Sequence, residues 1–136
     1  MSNILQHPPQ NGEVWTVEDD EVRLHSDKRT VKGPRPVLIL MAPEQDISLL
    51  GIANVVPLSS SVKPDAVIIP IARAYEDITP GFTPDPNSCA LLFFYQPIEI
   101  RFFRKYKGRI DQTTQVLLKS ILQSKIVGLP EFDFEP

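Results

Sequence analysis

Gly33-Pro34-Arg35-Pro36-Val37-Leu38-Ile39-Leu40 decides how this chain is read. Two prolines flank Arg35 and stiffen the backbone on both sides of it. Pro36 also biases Arg35 towards an extended conformation. The apolar, partly β-branched run Val37 to Leu40 then has the composition of a buried strand. One cation therefore stands at a stiff strand entrance, where a scaffold can aim it. A second run, Ile52 to Leu58, is another apolar strand; it ends with Pro57, Leu58 and the three hydroxyls Ser59, Ser60 and Ser61.

The length of 136 residues suits one domain with a modest core. Fourteen prolines stand against six glycines, which points to short strands with stiff connections rather than a helical bundle. The formal charge of −3 does not advertise nucleic-acid binding. Cys89 is the only cysteine, so an intramolecular disulfide and a cysteine-rich metal site are excluded. His7 and His25 are not at metal-ligand spacing, and no metal or cofactor is implied. No apolar run approaches the roughly 20 residues that span a bilayer. The first residues lack the basic start and apolar stretch of a signal peptide, so no membrane association and a cytoplasmic location are the expectations.

Residues 1–11 read as a flexible leader, 12–127 as a single domain and 128–136 as an acidic aromatic tail. Gly12 opens a half-buried strand, Glu13-Val14-Trp15-Thr16-Val17, with Trp15 as a core residue. Glu18 to Glu21 is a run of four acids that reads as a solvated turn. His25, Lys28, Arg29 and Lys32 lie in a segment leading into Arg35, where they would either contact phosphate or simply face solvent. Thr79 to Asn87, with Pro80, Gly81, Pro84 and Pro86, reads as a long surface loop. Apolar strands are expected at Ala66 to Ile71, Cys89 to Tyr95 and Ile98 to Phe102. Arg101 to Lys125 holds seven Lys and Arg against one acid, so charge is polarised along the chain; Arg104 and Lys105 lie in this stretch among Phe102, Phe103 and Tyr106. Basic residues attract phosphate and aromatics stack on unpaired bases, although a strand with alternate core and solvent faces gives the same pattern. Asp111 is a good N-cap for a helix over about 112–127, its apolar face built from Val116, Leu117, Leu118, Ile121, Leu122 and Ile126.

The two opening stretches, in this order and followed by a terminal helix, resemble the MazF/PemK (Kid-like) family of toxin–antitoxin endoribonucleases. The resemblance rests on Gly33, Arg35, Pro36, the strand Val37 to Leu40, then Val56, Pro57 and Ser59 or Ser60, and it spans about Gly12 to Gln123. It implies a mainly β fold with a C-terminal helix, an SH3-like barrel of the MazF/CcdB type. It also implies a homodimer whose groove receives single-stranded RNA and, in competition, an antitoxin tail. The tail after Gly128 would then be either disordered or a segment folding back into a basic groove, as antitoxin tails do in that family.

The implied reaction is metal-free cleavage of RNA by its own 2′-hydroxyl. The enzyme must hold that geometry, neutralise the phosphate oxygens and manage two proton transfers. Arg35 would meet the phosphate, because a guanidinium is a planar, charged fork. Ser59 or Ser60 would hydrogen-bond the phosphate or relay a proton. Some family members carry an acid just before the Gln that Gln96 matches; here that place is Tyr95, and Lys105 corresponds loosely to a family Arg. His25 or Tyr95 is then the expected substitute proton carrier. Two other readings stay open: a catalytically degenerate module that binds protein or nucleic acid, and a CcdB-like toxin directed at gyrase.

Overall fold

The computed structural model describes residues 7–24, 33–43 and 46–126. Eight strands follow one another: β1 (Glu13–Glu18), β2 (Pro34–Ile39), β3 (Ile52–Ser59), β4 (Ile68–Pro70), β5 (Tyr75–Ile78), β6 (Cys89–Leu91), β7 (Gln96–Glu99) and β8 (Tyr106–Ile110). The helix α1 (Gln112–Ile121) comes last and runs on into a wider π-type turn over Leu122–Ile126. The strands form one antiparallel sheet in the order β4-β6-β3-β2-β1-β8-β5, with β7 also paired to β3. The sheet curves into a half-barrel with the helix at its C-terminal end. None of the helices described is long and apolar enough to cross a membrane.

The strand β3 is the hub. Along one edge it pairs with β2, matching Val37 with Pro57 and Ile39 with Val55. Its other edge is divided: Ile52 to Val55 pair with β7, and Leu58 and Ser59 pair with β6. The sequence reads Cys89 to Tyr95 as one strand, but the chain leaves the ladder in a 3₁₀ turn at Leu92–Phe94 before Gln96 and Pro97 resume pairing. The expected strand at Ile98 to Phe102 is likewise cut short, by a second 3₁₀ turn at Ile100–Phe102.

Two apolar clusters lie on the two faces of the sheet. Val14, Leu38, Val56 and Leu58 gather with Leu118 and Leu122 of the helix, while Trp15, Val17, Val37, Ile39 and Val55 gather with Phe103. Side chains alternate along each strand, so a sheet covered on both faces needs apolar residues at every position. That is why Val37 to Leu40 reads as an unbroken run. Trp15 is fully buried, as the sequence suggests. Asp111 caps the helix as expected, accepting from the Thr114 N–H at 2.7 Å. The helix buries a narrower stripe than the sequence suggests: Gln115, Leu118 and Leu122 face inward, whereas Val116 and Leu117 are about half exposed.

The start of the described chain is fastened down rather than loose. Glu13, with its side chain 2% exposed, lies 2.8 Å from His7 Nε2 and accepts from the Gln10 N–H, Trp15 Nε1 and Arg109 Nη2. Asn11 exchanges two 2.7 Å hydrogen bonds with the Ala42 backbone. The expected tail, and the rest of the leader, lie outside the described residues.

Candidate functional site

Arg35 owes its place to the β1–β2 hairpin. Its register sets Val17 opposite Arg35 and Glu18 opposite Pro34. Just past β1 the chain turns through a 3₁₀ turn, Asp19–Glu21, and the Asp19 N–H bonds the Gly33 carbonyl at 3.1 Å. This brings the Asp19 carboxylate onto Arg35, whose Nε donates to Oδ1 at 2.5 Å. Arg35 Nη1 donates to the Leu58 carbonyl at 2.9 Å. Both charged side chains are only 8% exposed, so the cation is desolvated but paired. The four-acid run is therefore not a uniformly solvated turn: Asp19 leaves it to become the counter-ion of Arg35.

Ser59 ends β3, paired across to Cys89 of β6. Its hydroxyl lies 3.1 Å from that of Ser61 and accepts from the Ser61 N–H at 3.3 Å, a local turn that fixes the hydroxyl cluster at the strand end. Ser60, between them, is exposed.

A pocket of about 390 Å³ joins these parts. Arg35, with Pro34 and Pro36, and Leu58 to Ser61 supply part of its lining. Tyr75 of β5 and the loop after β5, through Phe82, Thr83, Pro84, Asp85 and Ser88, supply the rest. Tyr75 and Phe82 pack with ring centroids 5.8 Å apart, and Lys107 Nζ of β8 lies 5.4 Å from the Phe82 ring. Burial pushes the Tyr75 phenol up to about 12, so it stays protonated at neutral pH. Asp85 holds its own turn, its Oδ1 accepting from the Asn87 N–H at 2.8 Å. The pocket thus offers one fixed guanidinium, several hydroxyls, aromatic and proline walls, and one carboxylate.

Of the residues singled out in the sequence, Arg35, Ser59 and Ser60 come together here. Tyr95 and Gln96 flank the opposite half of β3. Tyr95 donates to the Met41 carbonyl at 3.3 Å, and burial raises its phenol, partly offset by a hydrogen bond with Asn54. Gln96 clasps the Arg23 backbone, accepting from its N–H at 2.8 Å and donating to its carbonyl at 2.9 Å. Arg104 and Lys105 lie beside β1, where the Arg104 N–H bonds the Thr16 carbonyl and the Lys105 N–H bonds its hydroxyl. Their exposed side chains are not among those lining the pocket. His25, Lys28, Arg29 and Lys32 lie outside the described residues.

Sequence reasoning missed Asp19, Tyr75 and the loop residues Phe82 to Asp85. A buried strand-entrance arginine demands an acid, and the four-acid run was the signal for one, but only the hairpin register selects Asp19 from it. No comparable local signal ties the 79–87 loop to Arg35, because that approach depends on β5 pairing with β8.

No protein-family model and no curated protein matches the sequence. Solved structures do match in shape. A chain of the MazE-MazF complex from Deinococcus radiodurans superposes with a TM-score of 0.66 at 15% identity, covering 92% of this chain and 100% of that one. A mycobacterial endoribonuclease in complex with its cognate antitoxin gives 0.60 at 14% identity, covering 90% and 97%. The Mycobacterium tuberculosis toxin MazF-mt6 gives 0.58 at 18% identity, covering 82% and 93%. The antiparallel half-barrel, its C-terminal helix and these superpositions agree: the chain has the fold of the MazF toxins.

Proposed function

We propose that the chain is a toxin of the MazF type, an endoribonuclease that cleaves single-stranded RNA without a metal and is neutralised by an antitoxin. The observation that carries this reading is the single pocket shared by Arg35, Ser59 and Ser60. At about 390 Å³ it has room for one nucleotide rather than a duplex. Unpaired RNA can present one splayed nucleotide to such a site. The Arg35 fork, preorganised by Asp19 and the Leu58 carbonyl, stabilises charge that grows on the phosphate oxygens. Ser59 and Ser60 donate to the same phosphate or pass a proton to the leaving oxygen. The mycobacterial neighbour, described as an endoribonuclease in complex with its cognate antitoxin, supports the endoribonuclease and antitoxin parts of this reading. The proposal extends to a homodimer that acts in the cytoplasm.

One observation favours the non-catalytic alternative. Asp19 already neutralises Arg35, which weakens the pocket's pull on a polyanion. Cleavage of a long single-stranded RNA in excess EDTA separates the two readings, with Arg35→Lys alongside. Lysine keeps the charge beside Asp19 and loses the fork. The expected result is discrete wild-type products ending in 2′,3′-cyclic phosphate, with the variant about 100-fold slower. Intact RNA with a folded wild-type protein would move the reading to the binding module.

A further inference from the structure

We propose that Asp85 is the general base that takes the proton of the attacking 2′-hydroxyl. This rests on the ribonuclease reading of the same pocket and names the proton acceptor that reading lacks. Among the described residues, three ionisable side chains line the pocket: Arg35, Tyr75 and Asp85. Arg35 carries no lone pair to receive a proton. Tyr75, with its phenol pushed up to about 12, holds its proton at neutral pH. Asp19, the nearest other carboxylate to Arg35, is committed to the guanidinium and is not part of the lining. Tyr95, the substitute suggested by the sequence, lies at the other half of β3. Among the described residues, Asp85 is the remaining acceptor of the lining.

Geometry supports the role. Asp85 stands on the wall contributed by the 79–88 loop, and Arg35 enters from β2. A pocket of about 390 Å³ is small enough for one nucleotide to touch both, its phosphate on Arg35 and its ribose edge near Asp85. The Asn87 N–H anchors Oδ1 at 2.8 Å, so the carboxylate is held in the loop rather than free to swing. Prolines 84 and 86 stiffen the loop on both sides of it.

The step balances without a further reagent. The Asp85 carboxylate accepts the 2′-hydroxyl proton as the 2′-oxygen bonds to the adjacent phosphorus. The bond from phosphorus to the 5′-oxygen breaks, leaving a 2′,3′-cyclic phosphate. The departing 5′-oxygen takes a proton from water, and the hydroxide so formed takes the proton from Asp85. Being exposed, Asp85 can exchange that proton with solvent.

The test measures kcat, KM and the pH profile of RNA cleavage for wild type, Asp85→Asn and Asp85→Glu. Asparagine can still accept from the Asn87 N–H, so the loop turn is kept; melting curves check this. A base predicts that Asp85→Asn lowers kcat about 100-fold or more, with KM changed by less than about threefold. It also predicts loss of the fall in rate on acidification, and partial recovery in Asp85→Glu. A bystander acid has the opposite signature. It repels phosphate, so neutralising it lowers KM and leaves kcat and the pH profile alone. That result overturns the proposal while leaving the ribonuclease reading standing. Failure of the wild type to cut RNA at all removes both.

Discussion

Arg35 is 7% exposed, and a guanidinium that deep is tenable only while its counter-ion is in place. Asp19 supplies the charge and the Leu58 carbonyl a second acceptor. Asp19→Ala strands a desolvated cation and is expected to cost about 3–5 kcal/mol of stability. Asp19→Asn keeps an acceptor for Nε and is expected to cost less. Urea unfolding of both variants checks the ordering; equal losses would mean that the charge of Asp19, not its shape or its acceptor oxygen, is what matters. Arg35, Ser59 and Ser60 were legible in the sequence because each belongs to a local pattern, a proline-locked strand entrance and a strand stopped by hydroxyls. Asp19 was not, because the four acids Glu18 to Glu21 look alike until the hairpin register selects one. Asp85 lay in a segment whose composition says only that it is a loop.

At the scale of elements, β1, β2, β8 and α1 converge on Gly12. Its N–H bonds the Ile39 carbonyl and its carbonyl accepts from the Ile110 N–H, each at 2.8 Å. Gln115 of the helix reaches into the same corner, donating Nε2 to the Ile110 carbonyl at 2.8 Å. Gly12 has φ +89°, and a Cβ there would meet Gln115 Nε2 at 2.2 Å. Gly12→Ala is therefore both strained and overpacked, and is expected to destabilise by about 2–4 kcal/mol. Adding Gln115→Ala removes the clash but not the backbone strain, so a double-mutant cycle should recover part of the loss and not all of it. Complete additivity would show that the helix does not press on Gly12. The sequence identified the helix, its cap and the strands β1 to β3 because their patterns are local. It left β8 open between a strand and a basic binding stretch because cations dominate Arg104 to Arg109, and it placed Val116 and Leu117 inward because apolar periodicity alone does not say how wide a stripe the sheet will cover.

At the scale of the whole molecule, β5 ends the sheet against β8, with Tyr75 opposite Ile110. Both tyrosines of this pair have phenols pushed up to about 12. For Tyr75 the cause is burial. For Tyr106 burial comes first, followed by the hydrogen bond its hydroxyl gives Asp77 at 2.7 Å and by the negative charges of Asp77 and Glu13, against the opposing charge of Arg109. In the unfolded chain these phenols ionise near their ordinary value of 10.0. The folded state thus favours the protonated form. Its contribution is fully present below pH about 10, declines as the unfolded tyrosines ionise, and is lost as the pH rises through about 12. Stability is expected to fall steadily across that window, and the fall should be shallower in Tyr75→Phe and in Tyr106→Phe, which have no phenol to titrate. Melting curves between pH 9 and pH 12.5 measure the slopes. An unchanged slope in both variants would place the alkaline sensitivity elsewhere.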